Sequence, residues 1–319
     1  MAQNSEFWTD LKDFLTYLEL PVPDGASGMN RFPLLVSRHF ASKIRKGDPR
    51  DPLLREVLPS VEELRAAPGF NDDPVGDGPA AKEEGILQKY EGRVLVVATK
   101  GCSLHCRFCF RRNFPYKADP GLADRLDRWL SLHTDIREVI FSGGDPVMLS
   151  AEEFEKLAEV PQRHASVTTL RIHSRVPVTL PGRLAPGTPH FKTLADVAQK
   201  KHLVFVIHAD HPRELDGESC AVLRNLRNAG ATLLDQSVLL KDVNDDADTL
   251  AELCFKLFDQ GVLPYYLHQL DHANGVAHFE VGDARALQLM KDLRDRLPGY
   301  LVPRLVRELA GESSKHPIF

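Results

Sequence analysis

An incomplete (β/α)6 barrel behind a helical N-terminal region is the fold class this sequence predicts, on three observations. From about residue 93, short apolar β-rich runs alternate with amphipathic helical stretches. That alternation is the pattern of βαβ units with right-handed crossovers on a parallel sheet. Six units with little between them favour an open barrel, with a doubly wound sheet as the alternative. Residues 1 to about 85 differ: they hold nine of the 22 prolines and read as helices joined by irregular links.

The elements follow in chain order. "FWTDLKDFLTYLEL" and "PLLREVLPSVEELRAA" carry apolar residues at helical spacing, and "PGFNDDPVGDGPAAKEEG" (68–85) reads as loop. Strands are expected at "RVLVVAT" (93–99), "EVIFSG" (138–143), "TLRIHS" (169–174), "LVFVIHA" (203–209), "TLLDQSVLL" (232–240) and "PYYLHQL" (264–270). Helices fill the intervals near 119–133, 151–159, 189–200, 213–228, 246–260 and 282–296. The expected organisation is an N-terminal helical region (1–85), a barrel core (86–300) and a C-terminal segment (301–319).

Position is the useful consequence. Parallel α/β architectures gather reactive groups beyond the C-terminal ends of their strands. Cys102 follows the first strand and "SGGDP" (142–146) the second; His173 to Arg175 end the third and His208 to His211 the fourth. Gln236 lies in the fifth, and His268 to Asp271 close the sixth. Polar residues at six strand ends would face one cavity, which argues for an enzyme.

Composition narrows the class. The chain has 319 residues, 43% hydrophobic and 27% charged, with a net charge of −5, ordinary values for a globular protein. Nothing at whole-chain level calls for nucleic acid or an anionic membrane, and no run approaches the roughly 20 apolar residues of a membrane span. The opening "MAQNSEFWTDLKDFL" has acids and a helical period where a secretory signal needs a basic flank and an apolar run. A reducing cytoplasm is the expected setting.

Three of the five cysteines fall within "CSLHCRFC" (102–109). A disulfide framework is a poor account of three clustered thiols; C-x3-C-x2-C suggests metal ligands. Three cysteines can hold three irons of a [4Fe–4S] cluster and leave the fourth open. Structural zinc normally takes four protein ligands, so a zinc reading needs His105 or a distant side chain. Cys220 and Cys254 fall in expected helices and read as buried spectators.

The C-x3-C-x2-C spacing, with Phe108 before the third cysteine, resembles the signature of the radical S-adenosylmethionine superfamily. "CSLHCRFCFRRNFPY", "LRIHSRVPVTLPGRL", "VLLKDVNDD", "LPYYLHQLDHANGVAHF" and "VPRLVRELAGESSKHP" are similar to the lysine 2,3-aminomutase family, in particular the shorter branch that makes β-lysine for elongation factor P (EpmB type). The resemblance covers about residue 70 to the end and implies a radical S-adenosylmethionine barrel core. It implies an isomerase that converts L-α-lysine to β-lysine with a [4Fe–4S] cluster, S-adenosyl-L-methionine and pyridoxal 5′-phosphate. Cys102, Cys106 and Cys109 would ligate the cluster. Ser142, Gly143, Gly144, Asp145, His208 and Gln236 would bind S-adenosylmethionine, the Asp145 carboxylate suiting its ammonium. Lys315 would carry pyridoxal phosphate, with Tyr90 and Arg93 as contacts. Arg111 would grip the substrate α-carboxylate, while Asp271 and Glu308 would pair with the ε-ammonium. Glutamate at 308, where the family has aspartate, keeps the charge and alters its reach. Expected partners are L-lysine, an external electron donor and a lysyl ligase acting on elongation factor P; a homo-oligomer is compatible with the family. An aminomutase for another amino acid, such as arginine, and a non-catalytic zinc or iron–sulfur module are the alternatives.

Overall fold

The structure, a computed structural model, describes residues 6–22, 32–115 and 121–319. Seven strands lie side by side in chain order and run parallel: β1 (Arg93–Thr99), β2 (Glu138–Gly143), β3 (Thr169–Ser174), β4 (His202–Ile207), β5 (Thr232–Val238), β6 (Val262–His268) and β7 (Arg304–Arg307). The helices between them are α1 (Leu122–Leu132), α2 (Ala151–Arg163), α3 (Pro189–Lys200), α4 (Gly217–Asn228), α5 (Ala247–Asp259) and α6 (Asp283–Arg296). The two ends of the sheet do not pair, so the barrel is partial. Antiparallel segments occupy its flanks, Ile86–Leu87 and Ala81–Glu83 beside β1 and His316–Pro317 beside β7.

Six of these strands match the sequence reading to within three residues at either end. β7 and the antiparallel flanks do not appear in it, because four residues or fewer carry no readable period. α2 runs on through Pro161 to Arg163, past the expected end at 159. A proline removes one N–H and crowds the turn before it, and Gln162 Nε2 supports that turn by donating to Ala158 O at 2.9 Å. α1 begins at Leu122; positions 119 and 120 of the expected helix lie outside the described residues.

The N-terminal part is less helical than its apolar spacing suggests. Helix survives at Leu11–Tyr17, Arg38–Ser42 and Pro52–Arg55, but Val61–Leu64 is a single tight turn. Pro59 has no N–H to continue a helix and pushes Leu58 away from helical backbone angles. This part carries its own core of Phe14, Leu18, Val36, Phe40, Leu53 and Val57, into which Leu104 of the cysteine loop also packs.

Local chemistry fixes the helix starts. Ser150 and Glu153 cap α2 reciprocally, while Thr188, Asp216 and Asp246 accept the first free N–H groups of α3, α4 and α5. Alternate strand residues separate two environments. Val96, Val139, Leu170, Ile172 and Leu233 pack outward against the helices, whereas Arg93, Arg171, His173 and Gln236 line the interior. No helix of the described residues is long and apolar enough to cross a membrane.

Phe141, wholly buried on β2, offers a direct check. Phe141→Ala should cost about 3–5 kcal/mol in denaturant unfolding. Leu132→Ala, at a site 80% exposed, should stay within about 0.5 kcal/mol.

Candidate active site

The C-terminal ends of the strands open into one cavity of about 410 Å³. Its lower rim is the cysteine loop that follows β1. Gly144 N donates to Thr99 O and Asp145 N to Gly101 O, both at 2.7 Å, so the end of β2 lies against the start of that loop. A Cβ on Gly144 would stand 2.4 Å from Gly101 O, and one on Gly143, whose φ is +112°, 2.8 Å from Thr99 O. Neither position has room for a side chain.

The N-terminal region holds the loop from the other side. Glu63 pairs with both Arg107 and Arg112, Arg107 N donates to Glu56 O at 2.8 Å, and His105 N donates to Leu35 O at 2.9 Å. Cys102, Cys106 and Cys109 are free thiols that all line the cavity. Burial pushes all three up, Cys106 to about 12, and neighbouring thiols add to the rise at Cys102 and Cys106. Thiolates here need a cationic centre. Among the described residues, the one trio of ligand-type atoms lying within 4.8 Å of one another is Glu56, Asp210 and Glu214. The three sulfurs therefore spread wider than the tetrahedron of a single zinc ion. His105, the suggested fourth zinc ligand, pairs through Nδ1 with Pro33 O at 2.9 Å and stacks on Phe32.

Charged side chains fill the opposite wall. Lys315 Nζ lies 2.6 Å from Glu308 Oε2, and Tyr90 donates to Glu308 Oε1 at 2.5 Å. Burial pushes Glu308 up, but Lys315 and Tyr90 outweigh it and hold the carboxyl below its usual range. Lys89 Nζ sits 2.8 Å from Asp77 Oδ1 and 3.7 Å from Glu308 Oε1. Asp77 in turn accepts from Arg111 Nε at 2.7 Å, while Arg111 Nη1 donates to Ser142 Oγ at 2.9 Å. The Arg93 guanidinium lies over the Tyr90 ring at 4.5 Å.

Other atoms are buried without a hydrogen-bond partner among the described residues, including Asp271 Oδ1, Gln236 Nε2, His173 Nε2 and Arg93 Nε. All four residues line the cavity. Burial raises Asp271 to about 7, and Lys315 only partly offsets it. Burial also holds His173 and His268 well below the usual histidine range. His208 is fixed by Gln236 O at 2.9 Å and Asp210 Oδ2 at 2.8 Å; the Asp210 charge outweighs burial and raises it.

The scan against family models matches residues 96–254 to the Radical SAM superfamily. The chain is 40% identical to the L-lysine 2,3-aminomutase of Escherichia coli K12, over 100% of this chain and 94% of that protein. It is 42% identical to that of Haemophilus influenzae, over 96% and 91%. The chain belongs to the lysine 2,3-aminomutase family. The Clostridium subterminale L-lysine 2,3-aminomutase is 32% identical, over 97% of this chain and 74% of that protein. Among solved structures, Streptococcus suis SuiB bound to S-adenosylmethionine superposes with a TM-score of 0.53 at 15% identity, over 71% of this chain and 52% of that one. That likeness concerns the barrel fold alone.

Members of this family are isomerases that use a [4Fe–4S] cluster, S-adenosylmethionine and pyridoxal phosphate, and the cavity fits all three. Three thiols on one loop, spread wider than a single ion requires, suit a multi-iron centre; the orphaned Gln236 amide suits a polar adenosyl contact, and Lys315 with Arg93 suits an aldehyde bearing a phosphate. The residues assigned to the cluster, to S-adenosylmethionine, to pyridoxal phosphate and to the substrate all line this one cavity, whereas Asp210, His211 and Gln269 at the strand ends do not. One expected role needs correction. The Asp145 carboxylate accepts from Ser174 Oγ, Arg175 N and Val147 N, so it caps the protein's own backbone where a ligand ammonium was expected. His211 likewise caps a turn through Nδ1, accepting from Arg213 N.

Sequence reasoning missed Asp77, Lys89, Glu56 and Glu63. Asp77 lies in the stretch that reads as loop, and its burial against Arg111 is decided by a contact 34 residues away. The tight rim gives a second check. Gly144→Ala should lower stability by about 1–3 kcal/mol in thermal unfolding, while Gly182→Ala, with open space around its Cβ, should have little effect.

Proposed function

We propose that the chain converts L-lysine to β-lysine. The observation that carries this reading is Asp271, whose buried Oδ1 has no hydrogen-bond partner among the described residues, in a cavity that also presents Arg111 and Lys315. A buried carboxylate calls for a cation, and a substrate with an α-carboxylate at one end and an ammonium at the other answers both walls. When bound, the reduced cluster and S-adenosylmethionine would supply a radical that takes a hydrogen from Cβ and gives one back at Cα, while pyridoxal phosphate would carry the migrating nitrogen.

The chain's own groups hold and orient. Cys102, Cys106 and Cys109 anchor the cluster at the rim. Arg111 reaches the α-carboxylate from a plane already set by Asp77 and Ser142, which lowers the cost of ordering a bidentate pair. Glu308 holds the Lys315 side chain in the cavity through a 2.6 Å ion pair, and with Asp271 it offers carboxylate oxygens to the substrate ε-ammonium. Ser142, Gly143, Gly144, His208 and Gln236 form the S-adenosylmethionine wall; Tyr90 and Arg93, with Lys89, form that of pyridoxal phosphate. Enclosure keeps water and stray C–H bonds away from the radical.

The shorter relatives support a narrower reading, in which the β-lysine passes to a lysyl ligase that modifies elongation factor P. The chain spans nearly all of the Escherichia coli and Haemophilus influenzae proteins but 74% of the clostridial one. We place this activity in the cytoplasm, with an external one-electron donor; the free cysteines suit a reducing compartment.

Anaerobically reconstituted enzyme should move the label of 2-15N-lysine to C3, and turnover of arginine alone would sink the substrate assignment. Lys315→Ala should lose the pyridoxal absorbance near the visible edge and on the order of 10³-fold or more in turnover. Asp271 supplies a pH test. Its carboxyl, raised to about 7, is largely protonated at lower pH and cannot pair with an ammonium. Lysine binding, followed by spectral titration, should therefore weaken as pH falls from 8 to 6. Asp271→Asn should bind at least about 100-fold more weakly, on the order of 3 kcal/mol, and lose the pH dependence.

A further inference from the structure

We propose that Arg175 sets the reduction potential of the iron–sulfur cluster through a charged hydrogen bond to the Cys106 sulfur. The inference rests on the cysteine trio holding that cluster, and it does not depend on which amino acid is the substrate.

Arg175 directly follows β3, and its side chain is 7% exposed. Nη1 donates to Cys106 Sγ at 2.9 Å. Nη2 donates to Glu56 and, at 2.8 Å, to Glu214, with Asp210 Oδ2 at 3.7 Å. The Arg175 backbone N–H donates to Asp145 at 2.8 Å. The guanidinium also lies between two rings, 5.3 Å from the Phe40 centroid and 5.7 Å from that of Phe108. These contacts restrict its orientation through both Nη atoms, while the buried Nε has no hydrogen-bond partner among the described residues.

Its carboxylate partners are fixed as firmly. Glu214 Oε1 accepts from Asp210 N and His211 N, and Asp210 Oδ1 accepts from Val238 N. Glu56 comes from the N-terminal region, whose main chain holds Arg107 of the cysteine loop. These are the three carboxylates whose oxygens converge within 4.8 Å. Arg175 supplies the cation that such a cluster of acids requires, so no metal ion is called for there.

The three sulfurs are not equivalent. Cys106 receives a cationic side chain. Hydrogen bonds and positive charge at a ligating sulfur withdraw electron density and stabilise the reduced cluster, which raises its potential. The carboxylates hold the guanidinium on the sulfur and moderate its charge. In the redox step one electron passes from a low-potential donor, dithionite in the test, to the oxidised cluster. The donor loses that electron, and no bond or proton changes hands.

The test uses the full chain, reconstituted anaerobically, with iron and sulfide measured first. Absence of a [4Fe–4S] complement in the wild type would strike the underlying cluster reading rather than the role of Arg175. In an EPR-monitored titration, Arg175→Gln should need a more negative potential than wild type. At a fixed potential its ratio of reduced to oxidised cluster should fall at least tenfold, or about 59 mV for a one-electron couple. Arg175→Lys, which keeps the charge without the fork, should fall between the two. A fully loaded Arg175→Gln with the wild-type potential overturns the proposal. Should that variant lose its cluster or fail to fold, the wild type decides. Grown on arginine labelled with 15N in the guanidinium and reduced, it should show a 15N coupling in pulsed EPR, and absence of that coupling refutes the hydrogen bond.

Discussion

The backbone hydrogen bonds from Gly144 N to Thr99 O and from Asp145 N to Gly101 O tie the end of β2 to the start of the cysteine loop. Everything on the lower rim is placed by that junction. It requires two residues without a Cβ, and it leaves Asp145 aimed at the turn after β3, where it caps the Arg175 backbone. One contact thus fixes both the thiols and the arginine beside them. The parallel sheet makes the contact possible, since strands that all run one way bring their C-terminal ends to one side.

The charges of the cavity fall into two sets. Paired groups form continuous chains: Arg111, Asp77, Lys89, Glu308, Lys315 and Tyr90 on one wall, and His208, Asp210, Arg175, Glu214 and Glu56 below the other. Such chains hold one another's geometry and resist rearrangement. The second set, Asp271, Gln236, His173 and Arg93, stands outside those chains, and each leaves a buried polar atom without a hydrogen-bond partner among the described residues. A buried polar atom left unpaired costs free energy, and these atoms line the cavity that family resemblance assigns to ligands. The paired residues build the site, and the unpaired ones mark what it receives.

The N-terminal region belongs to this construction. Glu63 bridges Arg107 and Arg112, Glu56 reaches Arg175, and Leu104 completes the region's own core. A piece that reads as a separate helical segment is a brace on the cysteine loop. Its short helices suffice because tertiary packing, more than helix propensity, stabilises elements of this length.

Six strands, six helices and the polar residues at the strand ends are legible in the chain because periods of two and 3.6 residues are local properties of the sequence. The cysteine spacing is equally local, and it carries the iron–sulfur reading without any fold. β7 escapes the sequence because four residues hold too little pattern, and the proline-rich stretch around Asp77 hides a buried acid because burial is not a local property. The pairing of Asp77 with Arg111, of Glu63 with two arginines and of Arg175 with Cys106 joins residues 34 to 69 positions apart, so only the folded chain decides them. Sequence by itself determined which chemistry the chain can carry. Tertiary structure decided which charges are already satisfied and which still need a partner, because desolvation and distance exist only once the chain has closed around them.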